Sequence, residues 1–217
     1  VEINVILEKS LLRFQHNGRP FKEKEIAHLI CHGSTKGKSD IGQFGTGFLA
    51  THLLSKKVRV IARIGPQDET DFFINRDAST SEEMKSLMFE ALDRYKKSCK
   101  PYDSKRELST EYEYKLSEIA YDTAKSGIDD LILIAPYVLA FNPIIKAINI
   151  NLIEDTETIK FITTQDEKSG ICNHRIIDQI FKIKPKVQHE LWVLGNKDLQ
   201  LEIAIKARQD KNNCIME

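Results

Sequence analysis

Gly42-Gln43-Phe44-Gly45-Thr46-Gly47-Phe48 is the stretch on which the reading of this chain turns. Its glycines let the backbone take positive φ and come close to a ligand. The run opens into Phe48, Leu49, His52 and Leu53, which fall on one face of a helix beginning at Gly45. The first-turn N–H groups of a helix lack internal partners and carry a partial positive charge. A loop of exposed N–H groups feeding such a helix is a cradle for phosphate. Alone, the pattern also fits a tight turn. It is not a dinucleotide fingerprint, because a loop and a helix precede it, and it is not a Walker loop, because no Gly-Lys-Ser/Thr closes it.

Working outward, Val1–Leu7 and Leu11–Gln15 are β-prone runs around Glu8-Lys9-Ser10, which reads as a hairpin. A turn, His16-Asn17-Gly18-Arg19-Pro20, follows. Phe21, Ile26, Leu29 and Ile30 have helical spacing, and that helix should end near Gly33, where a polar, glycine-bearing loop runs to Gly42. Lys57–Ile64 is a strand stopped by Gly65-Pro66, with Asp71–Asn75 as its hairpin partner. Met84, Leu87, Met88, Ala91, Leu92 and Tyr95 make one stripe of an amphipathic helix. Lys96–Glu107 reads as a polar linker. Thr110, Tyr112, Tyr114 and Leu116 alternate in a strand. Ser117 can cap a helix that buries Ala120, Ala124, Ile128, Leu131 and Ile132 and that Pro136 should close.

The order strand, His16-Asn17-Gly18 turn, helix, Gly33-Ser34-Thr35-Lys36, glycine run, helix and strand resembles the GHKL ATPases. These include gyrase B, the ninety-kilodalton heat-shock chaperones, histidine kinases and MutL. Gly42–Phe48 is similar to the glycine box of the heat-shock branch, and Ala135–Pro143 resembles sacsin-like members. The likeness is strong over Phe14–Val60 and looser to Pro143. It implies an α+β fold: a two-layer α/β sandwich with a mixed, mostly antiparallel sheet (the Bergerat ATP-binding fold), followed by a β-rich segment. It further implies ATP as ligand. Asn17 and Gly18 would lie in the adenine-reading turn, with Thr110 helping that subsite. Lys36 would sit in the lid, where an ammonium could meet a phosphate, although it reads more readily as a solvated loop lysine beside Lys38. Gly42, Gln43, Phe44, Gly45, Thr46, Gly47 and Phe48 would hold the phosphates.

Two departures stand out. The family's adenine-binding Asp falls at His16, so the carboxylate that accepts from the adenine amine is missing. The family's Glu-x-x-x-Asn helix, source of the general base and the Mg²⁺ ligand, is also missing. The chain starts without Met inside a strand, so a truncated piece is expected, with Mg²⁺ bound through upstream residues and no catalytic residue in this segment.

The 217 residues carry 32 Lys plus Arg against 32 Asp plus Glu, which gives no electrostatic reason to expect nucleic acid or an anionic membrane as direct partner. No apolar run reaches the roughly 18 residues of a membrane span. Cys31, Cys99, Cys172 and Cys214 are scattered without a C-x-x-C pair, which disfavours zinc and fits a reducing cytoplasm. His28, His32 and His52 lack paired ligand spacing. Trp192, Tyr112 and Tyr114 read as packing residues, and Glu82-Glu83 and Asp129-Asp130 as solvated helix charges.

After Asn142-Pro143 the chain becomes short strand-like runs, so residues 1–143 are expected to form the ATP-binding domain. Residues 144–217 are expected to begin a β-rich, transducer-like second domain. The implied function is a nucleotide-dependent switch, with ATP hydrolysis in the intact protein and other domains of the parent protein as partners; a homodimer is left open. The alternative is a non-catalytic scaffold that keeps the fold and has lost adenine recognition.

Overall fold

The computed structural model describes residues 1–31, 46–103, 108–169, 172–196, 201–210 and 213–216. Lys36 and Gly42–Gly45 lie outside these. In chain order the first elements are β1 (Glu2–Glu8), β2 (Leu11–His16), α1 (Glu23–Cys31), α2 (Thr46–Thr51), β3 (Lys57–Ile64) and β4 (Asp68–Asn75). Then come α3 (Ser81–Ser98), β5 (Lys100–Pro101), β6 (Thr110–Lys115) and α4 (Glu118–Phe141). The last six are β7 (Ala147–Leu152), β8 (Glu157–Ser169), β9 (Cys172–Phe181), β10 (Val187–Asn196), β11 (Leu201–Asp210) and β12 (Asn213–Met216). Contacts divide the chain into two units, Leu7–Lys125, and Val1–Ile6 with Ser126–Glu217.

In the first unit the strand order is β2-β6-β3-β4-β5, antiparallel throughout. Alternation decides which face is which. Val58, Val60, Ala62, Ile64, Phe72, Ile74 and Tyr114 are buried on one side. That side meets the helices: Tyr95 of α3 lies edge-on to Phe72 at 5.6 Å, and Phe48 of α2 meets Tyr112 of β6 at 5.5 Å. The other side carries an ion ladder. Arg59 makes a two-pronged pair with Asp71, at 2.8 and 2.7 Å, and reaches Glu113 at 3.0 Å. Gly65, at φ +54, supplies the left-handed residue of the tight β3–β4 turn.

In the second unit the order is β12-β11-β10-β9-β8-β7-β1. The pairs from β7 to β12 are antiparallel. Beside β7, however, Val1 donates to the Ile144 carbonyl (2.7 Å) while its own carbonyl accepts from Lys146 N–H (2.7 Å). Bonding to two residues that flank one position is the parallel pattern. The chain is thus α+β with a mixed, mostly antiparallel sheet.

Two local readings need correction. Pro136 does not close α4; the helix runs on to Phe141 with Pro136 inside it. An interior proline costs about 3 kcal/mol. Continuing past it buries Leu139 and Ala140 beside Ala135, each at most 1% exposed, and burying a leucine alone returns about 1.5–3 kcal/mol. The helix ends instead where Asn142 bonds back to the Val138 carbonyl and Pro143 follows. Glu83 is more than a solvated charge. Its carboxylate accepts from Ser79 and Thr80 N–H while Thr80 Oγ1 accepts from Glu83 N–H, a complete capping box at the start of α3. Ser117 caps α4 as expected, its Oγ accepting from Ala120 N–H at 3.3 Å.

Candidate functional site

The helix-side face of β2 and β6 ends in a pair of polar residues. Antiparallel register sets Phe14 opposite Tyr112 and His16 opposite Thr110, and Thr110 is also flanked by Ala62 of β3. The β-sheet period fixes all of these on the face that buries Val60 and Phe72. Thr110 is 0% exposed, and its Oγ1 has no hydrogen-bond partner among the described residues. A buried hydroxyl without a partner forfeits its hydration for nothing, at about 1–3 kcal/mol. It is the kind of group that a ligand or an ordered water satisfies.

His16 is held from several sides. Its carbonyl accepts from Ser109 N–H at 3.0 Å, tying the end of β2 to the residue before β6. Its Nδ1 accepts from Gly18 N–H at 3.1 Å. Burial lowers the imidazole pKa from its ordinary value, so the ring is neutral with its hydrogen on Nε2. Next along the chain, the turn is fastened to α1. Arg19 grips Glu25 at 2.5 and 2.8 Å, and Lys22 N–H donates to the same carboxylate at 2.8 Å. The Arg19 hydrogen bonds, reinforced by Lys22, hold the Glu25 carboxyl down at about 2.

An aromatic file leads from this pair to α2. His16 meets Phe14 at 6.3 Å, Phe14 meets Tyr112 at 6.3 Å, Tyr112 meets Phe48 at 5.5 Å, and Phe48 meets His52 edge-on at 5.2 Å. Burial pushes the Tyr112 phenol up, and pushes Tyr114 up to about 12 with the Thr51 hydroxyl beside it pulling the other way. Both tyrosines therefore stay neutral packing groups. Their roles, and that of the buried His52, are structural contacts that seat α2 on the sheet.

Of the residues singled out in the sequence, the structure brings His16, Gly18 and Thr110 to adjacent strand ends, with Asn17 exposed in the turn between them. Thr46, Gly47 and Phe48 form the first turn of α2, and Phe48 joins them to the strand pair through Tyr112. Gly42, Gln43, Phe44 and Gly45 precede that turn directly in the chain. Arg76, which sequence reasoning passed over, is buried and donates through Nη2 to the Ile30 carbonyl in the last turn of α1. Burial lowers its pKa. It fixes the helix end from which the chain departs toward the glycine run.

Among the described residues no group of His, Cys, Asp and Glu is arranged to hold a metal ion. Mg²⁺ therefore does not fit these residues. Among the described residues no helix is long and apolar enough to cross a membrane.

No family model matches the chain, and no curated protein matches it. Among solved structures it is similar to the topoisomerase IV ATP-binding domain of Francisella tularensis in complex with a small-molecule inhibitor. The identity is 11% and the TM-score 0.43, over 82% of this chain and 52% of that one. The chain thus spans about half the length of that structure, and a likeness of this strength carries no argument about the site.

Proposed function

We propose that this chain is a GHKL-type ATP-binding module that works as a nucleotide-dependent switch. In this reading the glycine run and the first turn of α2 receive the phosphates, and the base lies over the strand ends at His16 and Thr110. The domain ending near Pro143 binds, and residues 144–217 respond. Hydrolysis belongs to the intact protein in a reducing cytoplasm, with a carboxylate base that the described residues of this site do not supply. The observation that carries the proposal is Thr110: a fully buried hydroxyl without a partner among the described residues, on the helix-side face opposite His16. It lies in the same aromatic-lined unit as the helix the glycine run enters.

The second reading, a scaffold that has lost adenine recognition, is favoured by one bond. The Nδ1 of His16 already accepts from Gly18 N–H, so the ring offers a donor where the adenine amine needs an acceptor. Calorimetry with ATP separates the two. Thr110→Val keeps the shape and removes the hydroxyl. On the ATP reading it weakens binding by about tenfold, the value of one lost hydrogen bond, while leaving the fold as stable or more so. No heat of binding to the unaltered chain at millimolar ATP would select the scaffold.

A further inference from the structure

A second polar site stands apart, on the inner face of β8, β9 and β10, and nothing about it rests on the nucleotide reading. Up to Thr163, β8 turns Ile159 and Phe161 inward, 2% and 0% exposed. Between Thr163 and Gln165 the pairing with β9 slips by one residue. Because side chains alternate with a period of two, the slip changes which residues face in. Asp166 now stands opposite Arg175, and Lys168 opposite Asn173. Without the slip Gln165 and Glu167 would hold those places. The irregularity therefore carries an acidic and a basic side chain into the face that buries Phe161, Ile177 and Leu191.

Arg175 is the anchor. Its side chain is 7% exposed, and its Nε donates to Asp166 Oδ1 at 2.8 Å. Among the described residues that is its one hydrogen bond, so the N–H groups of its terminal nitrogens remain available. The side chains of Lys168 and Asn173 have no hydrogen bond or ion pair among the described residues. These four residues line a cleft of about 410 Å³, and the opposite wall is apolar: Ala140 and Phe141 at the end of α4, then Pro143, with Val193 of β10. The volume lies in the range of small-molecule sites, about 300–1,000 Å³.

The geometry points to a site for small molecules that carry a carboxylate or phosphate monoester on an apolar, ring-sized body. The donors decide the sign. Two cations and an amide face the cleft, and the carboxylate among them is already committed to Arg175, so a cation finds no free counter-charge. A guanidinium offers a planar fork matched to paired oxygens, and Lys168 adds a mobile point charge. The Phe141, Pro143 and Val193 wall takes the body of the ligand.

The test is a titration of the whole chain with benzoate and with phenyl phosphate, followed through backbone amide NMR shifts. Both probes are expected to move Lys168, Asn173, Arg175 and Val193 saturably, and the tighter of the two identifies the headgroup. Lys168 is exposed, so Lys168→Met leaves the fold intact, and it should weaken binding by about tenfold, one charge-assisted bond. Retained folding with lost saturation in Arg175→Met would agree. Three results would overturn the site: no saturable shift with either probe, unchanged affinity in Lys168→Met, or benzyl alcohol binding as tightly as benzoate. Inorganic phosphate equalling phenyl phosphate would remove the apolar wall from the assignment.

Discussion

The two units treat an intruding polar group in opposite ways. In Leu7–Lys125, the buried Thr110 lies between Ala62 and His16, and its hydroxyl has no partner among the described residues. In Ser126–Glu217, the buried Arg175 guanidinium is given a counter-charge by Asp166, and a register slip is spent to bring it there. The difference follows from magnitude. An orphan hydroxyl costs about 1–3 kcal/mol and a fold can carry it; an unpaired buried charge costs several times more and a fold must answer it. An orphan leaves a place that a ligand or an ordered water can complete. A compensated charge with donors left over marks where a ligand would extend the face.

The sharpest way to break this comparison is at the glycine run. Gly47→Val places a branched side chain where phosphate oxygens would approach, and ATP affinity should fall by about 100-fold or more by calorimetry. Unchanged affinity would move the nucleotide elsewhere and leave Thr110 an orphan without a purpose. The next effect belongs to the other unit. Asp166→Ala strips the counter-charge from Arg175 and should cost about 2–3 kcal/mol in urea unfolding, below the full buried-pair value because Asp166 is 40% exposed. A neutral result would mean Arg175 is solvated through the cleft.

Smaller effects sharpen the first unit. Thr80→Ala removes the capping box of α3, the helix that covers β4, and should cost about 1 kcal/mol. If Thr80→Ser restores most of it, the cap and not the methyl group is responsible. The smallest effect is a pH dependence. Burial depresses the His16 pKa below its unfolded 6.5, so the neutral ring stabilises the fold fully above that pH. That contribution is lost as pH falls through the folded value. Stability should decline on acidification from pH 7.5 to 5, and the His16→Asn variant, which keeps an acceptor for Gly18 N–H, should decline less. Equal slopes would show that the imidazole titrates without consequence.

Much of the fold could be read before any coordinates. The alternation of Val58, Val60, Ala62 and Ile64 and of Tyr112 and Tyr114, and the Ala120, Ala124, Ile128 stripe, each report a local period that burial must obey. The helix after the glycine run was legible for the same reason, and Thr80-x-x-Glu83 carries a capping signature. Pro136 reads as a stop because local propensity argues for one, while burial of Leu139 and Ala140, which depends on what packs there, argues for continuing.

The sequence by itself determined most of the elements and their polar and apolar faces. All of these follow from interactions between residues a few positions apart. Only the tertiary structure decided that His16 stands opposite Thr110, that the Thr110 hydroxyl has no partner among the described residues, and that Asp166 and Lys168, not Gln165 and Glu167, face Arg175 and Asn173. Register is a pairing between distant segments. A slip of one residue reverses every side chain beyond it and leaves no mark on the strand's own composition.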